Sequence, residues 1–241
     1  MVNSSFEYFP GIPIWHSKDL VNWKQIGHCI TKNEQINYSN LLKFGGIYAA
    51  TIRYHNGTFY VVSNNVANGK SGGNFIVQTK DPASEWSDPI WFEQKGIDPD
   101  LFFDLDGKAY LITNGGPPAI YMSEVDINSG KSLTEIKQIW KGTGGKYPEG
   151  PHIYFLNDYY YLLISEGGTE QGHYVVIARS KTIWGPFEEC PNNPILTHRD
   201  QDWRSPLQGT GHADFYKRKM EVGGQFFWRL DLWEIILITI N

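Results

Sequence analysis

Two cysteines in 241 residues, Cys29 and Cys190, are too few for a disulfide framework and lack the paired spacing of a metal-ligand set. They read as inert buried thiols. Positive charge is also short: 21 Lys and Arg against 26 Asp and Glu leave a net charge of −5. A nucleic-acid or anionic-membrane partner would therefore lack its usual electrostatic basis, and neither is expected. No stretch sustains an apolar stripe of period 3.6, which argues against helices. Nor does Met1 open a basic, apolar leader, since Val-Asn-Ser-Ser-Phe-Glu follows it. The chain as written reads as cytoplasmic, an inference that lapses if Met1 is not the natural start. Oligomeric state is not legible. What is abundant is aromatic: 9 Trp, 14 Tyr and 13 Phe provide for the core of one domain of this length. Such rings also suit stacking on sugar faces, although most are expected inside sheets.

Period-2 runs of Tyr, Val, Ile and Phe alternate with Gly, Asn, Asp and Pro clusters, which predicts an all-β fold. Three of these runs are one turn-then-strand unit, at His55–Val62, Asp106–Ile112 and Asn157–Leu163, and Tyr60, Tyr110 and Tyr161 recur at steps of 50 and 51 residues. Each is followed by a second strand, at Ile76–Lys80, Ile120–Glu124 and Val176–Ser180, two of which lead to Trp86 and Trp184. A repeat of about fifty residues made of short strands is the pattern of propeller blades. A β-sandwich remains the alternative, and it needs no such period.

The period fails at both ends. Ile14–Lys18 with Trp23 copies the second strand, so its partner should lie at or before Met1 and the chain is expected to begin inside a blade. After Phe215 no unit like the earlier ones recurs, which divides the chain into a repeat region, 1–215, and a tail, 216–241, of foreign or frame-shifted character. The last segment is β-branched and nearly uncharged, an aggregation hazard if it finds no sheet.

Two acidic residues stand out. Glu149 lies in Gly144-Gly-Lys-Tyr-Pro-Glu-Gly-Pro-His152 and Asp98 in Gly96-Ile-Asp-Pro-Asp-Leu-Phe102, each just before a repeat strand. Proline fixes the local backbone and glycine admits a ligand closely, so each carboxyl would stand at a defined place at a strand start. An ordinary turn glutamate and an Asx-type turn explain the same residues taken singly. Equivalent turns of successive blades face one end of a channel, where two carboxyl groups could serve glycoside hydrolysis, one as acid and one ionised.

Six motifs in order, Ser5–Ile14, His16–Trp23, Gly96–Phe102, Tyr147–His152, Glu166–Thr169 and Gly211-His212, resemble glycoside hydrolase family 43, most closely its β-xylosidase and α-L-arabinofuranosidase branch, over residues 3 to 215. The resemblance implies a five-bladed β-propeller, here incomplete, with its first blade truncated and its fifth largely missing. It implies an inverting mechanism on xylo- or arabino-oligosaccharides, with Glu149 as general acid and Asp98 as the carboxylate that tunes it and orients the sugar. Acid and base would stand about 6.5 to 9.5 Å apart. Phe9 and Tyr48 match positions lining the sugar pocket, although Tyr48-Ala-Ala-Thr51 departs from the family's usual Trp-Ala-Pro. His212 matches a channel histidine that in some members sits near a bound calcium through water; no cofactor is implied as required, and a structural calcium is an option. The family's general base, an aspartate in an Asn-x-Asp-Pro motif, is absent from the 241 residues, as is a recognisable fifth-blade arginine. Impaired turnover is the expectation, and a non-catalytic carbohydrate-binding propeller or an inactive gene fragment are the alternatives.

Overall fold

The computed structural model describes residues 1–36, 38, 41, 43–67, 70–116, 118–202, 204–222 and 225–236, and for 67, 70, 71, 216–222 and 225–236 the backbone alone. Among the described residues there is no helix, and eighteen strands form five antiparallel sheets in chain order. In the first, β1 (Gly11–His16) pairs with β2 (Lys24–Ile30). The second has the order β3 (Gly46–Ile47), β5 (Thr58–Ala67), β6 (Lys70–Thr79), β7 (Ile90–Trp91), with β4 (Thr51–His55) also on β5. The third runs β8 (Ile97–Phe103), β9 (Ala109–Gly115), β10 (Ala119–Val125), β11 (Lys137–Trp140). The fourth runs β12 (Glu149–Leu156), β13 (Tyr159–Glu166), β14 (Tyr174–Ser180), β15 (Glu188–Glu189), with β16 (Leu196–Thr197) also on β14. The fifth pairs β17 (Asp214–Val222) with β18 (Gln225–Ile236). Each sheet takes consecutive strands, as propeller blades do, whereas a sandwich would interleave them between two sheets.

Local sequence explains the hairpins. Asn56-Gly57 and Asn157-Asp158 have φ of 47°, 80°, 49° and 60°, the doubly left-handed turn that matches the twist of paired strands. They join β4 to β5 and β12 to β13 with His55 opposite Thr58 and Leu156 opposite Tyr159. Leu162, Leu163 and Ile164 of β13 are all buried without alternation, so both faces of this strand are covered. Side chains of this kind each contribute about 1.5–3 kcal/mol on full burial.

The chain divides into two compact units, Met1–Gln138 and Ile139–Asn241. In the first, one core joins Ile12, Ile14, Ile30, Ile47, Phe75 and Trp86, and another joins Val62, Ile76, Leu101 and Leu111. In the second, Tyr154, Leu163, Val175 and Ala213 pack with Phe215. Tyr154 also donates its hydroxyl to Asp214 and accepts the Phe215 N–H at 2.9 Å, which ties β12 to the start of β17. Where the repeat puts the strand neighbouring Ile14, Val2 forms a bridge to it. Beyond Phe215, where no repeat unit was legible, the backbone continues as β17 and β18; 237–241 lie outside the described residues. Of the thiols read as buried, Cys29 is, and burial pushes it well up from its ordinary range. Cys190 is corrected to half-buried, because the turn after β15 leaves it near the surface.

Candidate active site

Glu149 opens β12, and the register of β12 against β13 slips between Glu149 and His152. The same slip occurs between Ile97 and Asp100 where β8 meets β9. A bulge inserts an extra residue and re-aims the side chains around it. The inserted residue is left-handed in both strands: Asp98 has φ 51° and Gly150 has φ 56°. Asp98 and Gly150 are thus equivalents in successive sheets, and His212, two residues before β17, is likewise left-handed with φ 49°. The bulge equivalent of Glu149 is Ile97, so the two carboxyls named from the sequence stand one position apart in this register. An aspartate or histidine held left-handed costs of order 1–3 kcal/mol, and such strain gathers at functional sites.

The structure brings Glu149 and His212 together in the second unit. The ring of His212 lies against Gly150, where a Cβ would meet its Cε1, Cγ and Nδ1 at 3.1 Å. His212 is 7% exposed, and its N–H donates to the hydroxyl of Ser165, whose Cα faces Glu149 across the ladder. Sequence reasoning passed over His173. Its Nε2 stands 3.4 Å from Oε1 of Glu149, with the two side chains 4% and 13% exposed. Its ring face is covered by Gly211, where a Cβ would stand 2.2 to 2.3 Å from three ring atoms. The signal available was Gly211 itself, a glycine where a side chain has no room.

Glu166, fully buried, organises the approach to Glu149. Its Oε1 accepts the Thr143 N–H at 2.8 Å; its Oε2 accepts the Thr143 hydroxyl at 2.5 Å and the Tyr174 hydroxyl at 3.0 Å. Gly142 and Gly145 pack directly on this carboxylate, and Lys146 accepts the Gly167 N–H at 2.7 Å. Burial, then the Glu166 carboxylate, pushes the Tyr174 hydroxyl up.

The other expected residues lie in the first unit. Asp98 is 7% exposed, and two residues on the fully buried Asp100 pairs with Arg53 at 2.7 Å. Phe6 bridges Ile47 and its ring meets Tyr48 edge-on at 5.6 Å, which sets the 5–9 segment beside Tyr48. Phe9, 44% exposed, meets Tyr38 edge-on at 6.0 Å. The Tyr38 hydroxyl is closed to solvent and has no hydrogen-bond partner among the described residues, and burial pushes it up to about 12. Aromatic rings of this kind offer an apolar face and, in Tyr38, a hydroxyl awaiting a polar ligand group. Among the described residues no three His, Cys, Asp or Glu gather to hold a metal ion. Calcium takes six to eight oxygen ligands, so an ion near His212 would be held largely through water, and no step is routed through one.

The family description "Glycosyl hydrolases family 43" matches residues 1–223. A non-reducing end alpha-L-arabinofuranosidase of Bacteroides ovatus is 43% identical over 220 residues, covering 91% of this chain and 41% of that protein. A xylosidase/arabinosidase of Butyrivibrio fibrisolvens is 45% identical over 228 residues, covering 89% and 43%. The crystal structure of a xylan beta-1,4-xylosidase from Bacillus halodurans superposes with a TM-score of 0.85 at 35% identity, covering 90% of this chain and 44% of that one. The chain therefore spans about two fifths of the length of these relatives.

Proposed function

Because the chain belongs to glycosyl hydrolases family 43, whose solved members are five-bladed β-propellers, we propose that it is the acid-bearing part of a glycosidase that removes xylosyl or arabinofuranosyl residues from xylan-type oligosaccharides with inversion. The observation that carries this reading is Glu149: a carboxyl group 13% exposed, aimed by a bulge at the start of β12 and flanked by His173 and the strained His212. The names of the Bacteroides and Butyrivibrio relatives support both pentoses as candidate substrates.

In this reading Glu149 gives its proton to the glycosidic oxygen while the C1–O bond breaks and its electron pair passes to that oxygen. A nucleophile attacks C1 from the opposite face, which inverts the anomeric centre. Within the second unit His212 lies beside the strand start that carries Glu149; for the first unit the proposed roles are orientation of the sugar by Asp98 and cover of its apolar faces by Phe9 and Tyr48. No Asn-x-Asp-Pro sequence occurs among the 241 residues, so water attack within this chain is expected to be slower by about 10² to 10⁴ than with a positioned base.

Azide separates the acid from the base, because it attacks C1 without needing deprotonation. Aryl xyloside and aryl arabinofuranoside are incubated with the purified chain, with and without azide, beside Glu149→Gln. A glycosyl azide of inverted configuration, formed by the wild type and lost in the variant, is the expected result. A folded chain that binds xylo-oligosaccharide yet forms no glycosyl azide would establish a binding module instead.

A further inference from the structure

We propose that Tyr147 is the platform for the leaving sugar: an exposed ring, two residues ahead of the acid, on which a xylopyranosyl unit stacks beyond the bond that is cleaved. The inference deepens the hydrolase reading and rests on it for the identity of the ligand. Tyr147 is 62% exposed and left-handed at φ 53°. Two rules oppose that backbone. A bulky side chain rarely tolerates positive φ, and Pro148 biases the residue before it toward extended backbone. Strain of this kind persists only where the surroundings enforce it, and it gathers at ligand clamps and active sites.

Three successive contacts enforce it here. The Thr143 N–H donates to Glu166 at 2.8 Å, the Gly167 N–H donates to the Lys146 carbonyl at 2.7 Å, and the Tyr147 ring rests on Gly168. A Cβ at Gly168 would meet Cδ2 of that ring at 3.3 Å and Cε2 at 3.8 Å. Gly168, at φ 72°, thus supports one edge of the ring while the remainder stays open. The loop that supplies this seat also delivers His173 to the acid. The Glu170 N–H donates to the Gly168 carbonyl at 2.7 Å and the His173 N–H to the Glu170 carbonyl at 3.0 Å, and His173 then stands 3.4 Å from Oε1 of Glu149. Two residues of chain span at most about 7 Å, so the Tyr147 ring is within reach of a sugar bound against Glu149. The oxygen that Glu149 protonates joins the cleaved pentose to the next sugar, and an exposed group beside the acid meets that next sugar. A β-xylopyranosyl unit carries its hydroxyls around the rim, which leaves C–H faces for an aromatic ring, and the phenol hydroxyl can donate to or accept from the rim.

Calorimetric titration of the 241-residue chain with xylotriose and with methyl xyloside separates the two sugar positions. Tyr147→Ala is expected to weaken xylotriose binding by roughly 10-fold, the loss of one stacking contact, and to leave methyl xyloside binding within about twofold. Tyr147→Phe keeps the ring and most of the affinity. Tyr147→Gly relieves the backbone, so it is expected to be more stable than Tyr147→Ala by denaturant midpoint and to bind xylotriose as weakly. In azide, kcat/KM for xylotriose should fall by about 10-fold in Tyr147→Ala, whereas xylosyl fluoride, which has no leaving sugar, is turned over unchanged. Equal xylotriose affinity in the wild type and Tyr147→Ala, absent binding included, overturns the proposal. So does a matching loss on methyl xyloside, which would place the ring at the cleaved sugar or in the fold. Tyr147-dependent binding of xylotriose without glycosyl azide refutes hydrolysis and upholds the platform, so the two readings fail separately.

Discussion

Replacing Glu166 removes the anchor of the segment that leads to Glu149. The carboxylate is fully buried and accepts hydrogen bonds from the N–H and hydroxyl of Thr143 and from the hydroxyl of Tyr174. Hydrogen bonds to a charged group are worth about 1.5–3 kcal/mol each, which would sum beyond any plausible cost for one side chain. Thr143 is exposed, however, so its two donors regain water once the carboxylate is gone. What remains is the stranded Tyr174 hydroxyl and a cavity lined by Gly142 and Gly145, which together give about 2–4 kcal/mol for Glu166→Ala. Glu166→Gln fills the same volume and keeps one acceptor, and the two hydroxyls can reverse their role toward its amide, so its cost is about 1 kcal/mol. Urea denaturation followed by tryptophan fluorescence measures both, with m unchanged if only stability has altered. Azide-supported turnover of the alanine variant should fall by roughly 10²-fold, because the freed segment no longer places Glu149 to within an ångström. A loss below about 1 kcal/mol in Glu166→Ala, or equal losses in the two variants, would refute the assignment of Glu166 as this anchor.

Two further outcomes test the support of the first unit. Arg53→Met takes the guanidinium away from the fully buried Asp100, 2.7 Å distant, and is expected to cost about 3–5 kcal/mol by denaturant midpoint; a loss under about 1 kcal/mol contradicts the buried pair. Asp98, at φ 51°, should be more stable as Asp98→Gly than as Asp98→Ala by about 1–2 kcal/mol, with azide-supported turnover lost in both; equal stability of the two variants would show that the bulge relaxes.

The sequence by itself determined the all-β class, the fifty-residue recurrence and the hairpins, because period-2 patterning and Asn-Gly or Asn-Asp turns are local causes acting within a few residues. It also singled out Glu149 and Asp98, since proline and glycine beside a lone carboxyl are visible in one dimension. Tertiary structure alone decided the phase of the repeat. A bulge adds one residue to one strand, and nothing in an apolar pattern states which residue is the extra one, so Asp98 proves equivalent to Gly150. It alone made partners of Glu149 and His173, which lie 24 positions apart in the chain and meet because the chain reverses at Asn157-Asp158 and again before β14, with Gly211 closing over the ring from beyond the sheet. Contacts of this kind depend on how sheets fold back on themselves, and residue spacing carries no record of them until the register is known.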